Sequence, residues 1–144
     1  MNNENLRDYE NPTRRRDFFV YEAQTLVLAA AGNAVDTVQI QADADFILQK
    51  LTYECDIAGA TQTISTRTVP NVTVQITDTG SNRQLFQQPV PIPSIFGTGE
   101  LPFILPNPRL FMKTSVIQVD FTSFEAAVTP SIRLAFIGYK FYRY

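Results

Sequence analysis

Residues 87–111, QQPVPIPSIFGTGELPFILPNPRLF, carry six of the nine prolines of the chain. Each proline fixes its own backbone φ angle, lacks an N–H donor and disfavours helix at the residue before it. The segment is therefore excluded from a helix and from the centre of a sheet. It is also rich in aliphatic and aromatic side chains, which a solvated linker does not need. These properties predict a long, proline-rich, ordered loop that packs on the domain or on a neighbouring molecule.

The composition of the chain narrows the classes of function. Its 144 residues fit one domain, and a domain of this size buries a core large enough to fold without disulfides. The formal net charge of −2 gives no general attraction to nucleic acid or to an anionic membrane. The chain has no histidine and one cysteine, Cys55, which excludes histidine-based catalysis, histidine metal ligands and an internal disulfide. We expect a protein that is not an enzyme and that holds no cofactor and no metal.

Carboxylates are the remaining candidates for chemistry. A carboxylate pair can hydrolyse glycosidic bonds without histidine, and the acidic residues considered for it are Asp43, Asp45, Asp78, Glu100 and Asp120. Most of them fall in predicted turns or on outward faces of strands, where solvated carboxylates are common. Asp43 and Asp45 are also possible ligands of a hard cation, but no third acidic residue lies near them in the sequence.

Alternation of apolar and polar residues predicts a series of antiparallel strands and no convincing helix. The strands are expected at about 24–29, 35–42, 46–57, 72–77, 83–86, 115–121 and 131–144. Within 46–57, Ile47 and Leu51 are expected on one face, which Gln49 interrupts. Short strands joined by turns predict an all-β fold, an antiparallel β-sandwich. Two half-chains of strands joined by a long crossover would make the sandwich jelly-roll-like.

Residues 1–17 differ from the rest of the chain, since they are polar, charged and without hydrophobic periodicity. We predict a flexible N-terminal arm over 1–17 and a single domain over 18–144. The arm has no apolar core of a secretion signal, which together with a single cysteine suits synthesis in a reducing cytoplasm. Arg14, Arg15 and Arg16 form a basic cluster that is either solvated or lies on an acidic or phosphate-bearing partner. Three arginines are too few to indicate nucleic-acid binding, and no apolar run is long enough to span a membrane.

The last predicted strand, 131–144, is apolar on both faces. One face carries Ile132, Leu134 and Phe136, and the other carries Ala135, Ile137, Tyr139 and Phe141. A strand of this kind must be covered on both sides. The second face is covered either by the same chain or by another subunit, and in the second case its aromatic residues are the expected anchors of an interface.

Four segments carry a resemblance to a known group of proteins. They are Asp43-Ala44-Asp45-Phe46, then VQITDTG at 74–80, then IFGTG at 95–99 with Pro102-Phe103, and LAFIGYK at 134–140. On these segments the chain, from about Phe18 onward, resembles small structural proteins of tailed-bacteriophage virions. The resemblance implies a capsid decoration or cement protein, built on a small β-sandwich or jelly roll, that bridges neighbouring capsomers. A neck, collar or tail component is the alternative within the same class.

This resemblance also implies where the protein is found and what it contacts. It implies a virion protein that assembles in the bacterial host cytoplasm, forms a homo-oligomer and contacts the major capsid protein or other virion proteins. Our hypothesis places subunit contacts at apolar residues of the proline-rich loop and the last strand, and at the basic cluster of the arm. These residues are Phe96, Phe103, Ile137, Tyr139, Phe141, Arg14, Arg15 and Arg16.

A carbohydrate-binding β-sandwich for host recognition is a rival interpretation. Its sugar-stacking platform would be built from tyrosines such as Tyr53, Tyr139 or Tyr142, because the chain has no tryptophan. A screen against host glycans separates this interpretation from a purely structural role.

Overall fold

The computed structural model describes residues 15–57, 69–125 and 129–142. These ranges hold nine strands and one short helix, of four residues. The strands are β1 (Arg16–Thr25), β2 (Asn33–Gln39), β3 (Asp45–Ile57), β4 (Val72–Asp78), β5 (Arg83–Gln84), β6 (Val90–Pro91), β7 (Phe103–Phe111), β8 (Val116–Ser123) and β9 (Pro130–Phe141), and the helix α1 is Ile92–Ile95. In this part of the chain no helix is long and apolar enough to cross a membrane.

The named strands pair antiparallel and form two sheets. Sheet A has the order β1-β9-β3-β7, and sheet B has the order β2-β8-β4-β5, with β6 on the same edge of β4 as β5. The sheets pack face to face around one hydrophobic cluster. This arrangement confirms the predicted all-β, antiparallel β-sandwich.

The core lies between the sheets and is built from every second residue of the long strands, as the pleat of a β-strand requires. In β4 and β8 the predicted alternation is confirmed, and the same holds for one face of β9. The inward residues of these three strands are Val72, Val74, Ile76, Ile117, Val119, Phe121, Ile132, Leu134 and Phe136, all at most 1% exposed. Their removal from water is the main stabilising contribution to such a sandwich.

Strand β3 changes face at Gln49. Its pairing with both neighbouring strands shifts between Leu48 and Lys50, which is the signature of a β-bulge. The extra residue reverses the face to which the following side chains point. As a result, Leu48 and Leu51 both belong to the core cluster. The prediction that Ile47 shares a face with Leu51 is therefore wrong, and Ile47 lies on the outer face of sheet A.

The proline-rich segment is only partly the predicted loop. Its first part contains β6 and α1, and its last part is β7, the edge strand of sheet A. Leu48 pairs with Arg109 and Lys50 with Ile104, so residues 105–108 of β7 have no partner on β3. Pro106 and Pro108 lie in this unpaired stretch, where a missing N–H removes no hydrogen bond between strands. The loop prediction is thus wrong for 103–111, and the exclusion of helix is wrong at Ile92–Ile95, where the proline stands at the start of the helix and costs no internal hydrogen bond. The exclusion of a central strand is confirmed.

The start of the domain also differs from the prediction. Arg16 and Asp17 pair with β9, and the backbone carbonyl of Arg15 accepts a hydrogen bond from the Tyr142 N–H at 3.1 Å. The boundary of the arm at residue 17 is therefore wrong, because the sheet already begins at Arg16. The rest of the predicted arm, including Arg14, lies outside the described residues.

The strand expected at 24–29 lies earlier in the chain. Strand β1 ends at Thr25, and the chain then turns, with the Leu28 N–H donating to the Pro130 carbonyl at 3.0 Å. Aromatic and β-branched residues favour strand more strongly than alanine does. The aromatic stretch 18–21 therefore sits within the strand, whereas the alanines at 29–31 lie in the turn.

Candidate protein-binding surface

The outer face of sheet A carries apolar side chains across all four strands. Side chains that are directly paired on neighbouring strands lie side by side on one face of a sheet. One such row joins Phe18, Tyr139, Ile47 and Leu110, and the next joins Val20, Ile137, Lys50 and Ile104. We call the partly or fully exposed apolar members of these two rows the outer patch: Phe18, Val20, Ile104, Leu110, Ile137 and Tyr139. Ile47 lies in the first row but is 1% exposed.

The outer patch is exposed at both edges of the sheet. Phe18 on β1 is 76% exposed, Ile104 on β7 is 64% exposed and Val20 is 39% exposed. Ile137 and Tyr139, between these edges, are half-buried. Exposed apolar side chains grouped on one face of a domain mark a candidate site of contact with another molecule.

Charged groups border the outer patch at both ends of the strands. At one end the Arg16 guanidinium lies 5.3 Å from the centre of the Tyr139 ring. Toward the other end Arg133 and Glu22 face each other at 3.9 Å, with both side chains about half exposed. Lys50, exposed in the second row, adds a charge between Ile137 and Ile104. Apolar side chains bordered by charged ones are the usual composition of a protein–protein interface.

The structure separates the predicted contact residues into two groups. Ile137 and Tyr139 belong to the outer patch, and Phe103 is half-buried at the edge of sheet A, where it packs against the core cluster. Phe96 and Phe141 are 3% and 0% exposed. The placement of Phe96 and Phe141 in an interface is therefore wrong for this conformation, because neither offers side-chain surface to a partner.

The Phe96 ring instead packs inside the sandwich. It meets the Phe136 ring edge-on, with 6.4 Å between the ring centres. This geometry is favourable for aromatic pairs, and it anchors the proline-rich segment to β9.

Phe18, Val20 and Ile104 were missed by the sequence reasoning. The signal for the first two is the two-sided apolar pattern of 18–21, which matches the pattern that marked the last strand. A first strand at 24–29 leaves these two residues outside any predicted sheet. A loop over 87–111 likewise gives Ile104 no predicted sheet face.

Arg15 and Arg16, the two described members of the predicted basic cluster, contact different groups of side chains. Successive residues of a strand point to opposite faces, and Arg16 accordingly lies over Tyr139. Arg15 stacks on the Tyr142 ring at 4.7 Å and bonds the Asp17 carboxylate at 2.9 Å. The two arginines thus support two different groups of side chains.

Asp43 is part of a polar group at one end of the sandwich, not of a metal loop with Asp45. The Lys140 ammonium donates to Asp43 Oδ2 at 2.9 Å and to Gln41 Oε1 at 2.5 Å. The hydrogen bond from Lys140 holds the pKa of the Asp43 carboxyl below its ordinary value. Tyr142 donates to the same carboxylate at 3.4 Å, and burial raises the pKa of its phenol. These bonds tie the β2–β3 turn to β9.

The other candidate carboxylates also have structural surroundings. Asp45 accepts a hydrogen bond from the Lys113 N–H at 2.8 Å. Asp78 accepts two bonds within its own turn, Asp120 accepts from a neighbouring glutamine, and Glu100 is exposed. Over the ranges that the structure describes, no three acidic or cysteine side chains come together in a way that could hold a metal ion.

The three tyrosines considered for sugar binding lie in different places. Tyr53 packs against the core cluster, Tyr139 belongs to the outer patch, and Tyr142 is buried with its hydroxyl on Asp43. They do not form a common stacking platform.

No family model, curated protein or solved structure matches this chain. Among the surfaces described above, the outer patch is the one whose composition and exposure fit the binding of a partner.

Proposed function

We propose that this protein is a structural component of a tailed-bacteriophage virion, and specifically a capsid decoration protein that stabilises contacts between capsomers. The observation that carries the proposal is the outer patch, an apolar surface on a sheet whose other face is a packed core. A decoration protein needs a rigid surface of this kind and no reactive group. The sequence resemblance to virion proteins supports the same class.

The position of the patch suits repeated, weak contacts. Phe18 and Ile104 stand on opposite edge strands of sheet A, so a neighbour that covers the face contacts both edges at once. Burial of apolar surface contributes about 25 cal/mol per Å², which makes a single small contact weak. Repetition of the contact around a symmetric shell turns weak binding into stable retention.

We also propose that the sandwich is a jelly roll, the fold common in viral coat domains. The strand order supports this assignment. The first and last strands are neighbours in sheet A, and the second and the next-to-last strands are neighbours in sheet B. This nested pairing is what results when one long antiparallel hairpin of strands is folded around a core.

The major capsid protein is the proposed partner, with a second copy of this chain as an additional contact. A neck, collar or tail position is the alternative, and it predicts a closed ring that does not bind shells. A glycan-binding role on the virion is a third possibility, which requires a platform elsewhere than the three separated tyrosines.

The test is co-sedimentation of the purified protein with shells of the phage that encodes it. We expect the wild type to sediment with shells, and the double variant Phe18→Ser/Ile104→Ser to bind about tenfold more weakly or worse. Val35 is exposed on the outer face of sheet B, so Val35→Ser is the matched control and should bind like wild type.

Three results would speak against the decoration role. Equal binding by the double variant and wild type would remove the outer patch from the contact. A ring in solution that ignores shells would favour the neck or tail. A monomer that binds neither shells nor a second copy would leave the glycan screen as the next experiment.

A further inference from the structure

A cleft opens at the side of the sandwich where β7 of sheet A faces the β4–β5 hairpin of sheet B. Its volume is about 550 Å³, within the range of small-molecule sites. Most of its wall is apolar and includes Leu51, Leu85, Phe103, Leu105, Leu110 and Met112. The cleft lies between the sheets and shares Leu110 with the outer patch, whose other members do not line it.

Two arginines line the cleft from opposite sheets, Arg83 on β5 and Arg109 on β7. In the described part of the chain neither guanidinium has a carboxylate within 4.0 Å. Asp78 also lines the cleft, but its oxygens are engaged by the Gly80 N–H and the Ser81 hydroxyl, each at 3.0 Å. The cleft therefore combines apolar surface with two arginines and one carboxylate, which leaves one positive charge in excess.

Arg109 carries a further unsatisfied group. Its Nε is shielded from water and has no hydrogen-bond acceptor among the described residues, although a buried donor is normally paired. The guanidinium lies 5.8 Å from the centre of the Phe111 ring. A carboxylate bound in the cleft would pair with the Arg109 guanidinium through a charge-assisted hydrogen bond.

The free edges beside the cleft do not favour an added peptide strand. Pro106 and Pro108 remove two donors from β7, and β5 has two residues. Proline and shortness are features that protect sheet edges from pairing with another strand. The arrangement thus favours a ligand that is held by apolar contact and by charge, not by backbone pairing.

We infer that the cleft binds a small amphipathic carboxylate, whose apolar body lies against the leucines and Phe103 and whose anionic group pairs with Arg109 and Arg83. This inference does not depend on the proposed role in the virion. The outer-patch variant Phe18→Ser/Ile104→Ser should therefore bind a carboxylate in the cleft as the wild type does.

The test is calorimetric titration of the full chain with decanoate, kept below its micelle concentration. We expect saturable binding of one decanoate, at least about tenfold tighter than binding of decanol or decyltrimethylammonium, because a charge-assisted bond adds to the same apolar contact. Arg109→Gln should weaken decanoate by about tenfold and leave decanol unchanged. Arg133→Gln, on the outer face of sheet A, is the matched control and should bind decanoate like wild type.

Amide NMR shifts then locate the ligand, and Arg83→Gln provides a second variant at an exposed position that does not endanger folding. Shifts confined to the residues that line the cleft support the inference. It is overturned if decanoate does not bind saturably, if decanoate and decanol bind equally, or if Arg109→Gln and Arg83→Gln both bind decanoate like wild type. Shifts centred on the outer patch would overturn it as well.

Discussion

At the scale of single residues, Gly138 and Gly97 leave no room for a side chain. A Cβ atom on Gly138 would lie 1.8 Å from the Ile47 carbonyl oxygen, and one on Gly97 would lie 2.1 Å from the Leu101 carbonyl oxygen. Gly138 pairs with Leu48 at the bulge of β3. The close approach of two backbones at the bulge therefore depends on glycine at that position.

Gly138→Ala is expected to lower the free energy of unfolding by about 3 kcal/mol or more, because backbone atoms must move to accept the methyl group. Urea denaturation measures the change. Gly99 is the matched control, since a Cβ there meets nothing within 4 Å, and Gly99→Ala should unfold close to wild type. Equal midpoints for Gly138→Ala and wild type would contradict the close approach.

The bonds of Asp43 predict a dependence of stability on pH. Its folded pKa lies below the ordinary value of 3.8 because of Lys140, so its contribution is complete above the unfolded pKa. The contribution is lost as the pH falls through the lower folded pKa. Asp43→Asn should therefore be less stable than wild type above about pH 4, and this difference should vanish in stronger acid.

Unfolding in urea at a series of pH values measures this difference. Glu100→Gln, at an exposed carboxylate, is the control and should follow wild type throughout. If Asp43→Asn lowers the free energy of unfolding as much in strong acid as at neutral pH, the effect does not arise from ionisation of Asp43.

At the scale of elements, β9 is the strand that joins the core to the outer patch. It lies between β1 and β3, and its two faces have different surroundings. Phe136 is fully buried in the core, whereas the adjacent Ile137 is half-buried on the outer face. The two residues allow the two faces to be compared within one strand.

Phe136→Ala is expected to destabilise the isolated protein by about 3–5 kcal/mol, because it removes a ring from a packed core. Ile137→Ala should have a clearly smaller effect on stability, measured in the same denaturation experiment. Its effect should instead appear in binding to shells. Equal losses of stability from the two substitutions would mean that the outer face is as fully packed as the core.

Alternation was enough to predict β2, β3, β4, β8 and β9, since each has one face on the core. Alternation failed for β7, because its prolines argue against a strand. β7 is nevertheless a strand, since proline removes a ladder hydrogen bond only where the strand is paired. Alternation also failed at Gln49, where a bulge reverses the faces within one strand. The strand order, and with it the pairing of Phe18 with Tyr139, depends on contacts between residues far apart in sequence. Local alternation therefore does not predict it.

At the scale of the whole molecule, the two outer faces differ in chemistry. The outer face of sheet A carries the outer patch, and the outward residues of β4 and β8 in sheet B are largely threonine, glutamine and aspartate. A sandwich with one apolar and one polar outer face is suited to bind a surface in one fixed orientation, with the apolar face toward that surface. We therefore expect sheet A to face the shell and sheet B to face solvent.

Hydrogen exchange measured by mass spectrometry on shell-bound and free protein tests this orientation. Amides of the edge strands β1 and β7 should exchange more slowly when the protein is bound, because the partner covers their edges. Amides of β2, the edge strand of sheet B, provide the internal control and should not change. Protection of β2 without protection of β1 would reverse the proposed orientation.

The pairing of β1 with β9 also bears on biosynthesis. Among the described strands, β1 is the first to leave the ribosome and its partner in sheet A, β9, is the last. Until β9 is made, Phe18 and Val20 belong to an unpaired nascent segment, open to chaperones or to a neighbouring nascent chain. Contacts so distant in sequence slow folding, and sheet A can close only after β9 has been translated.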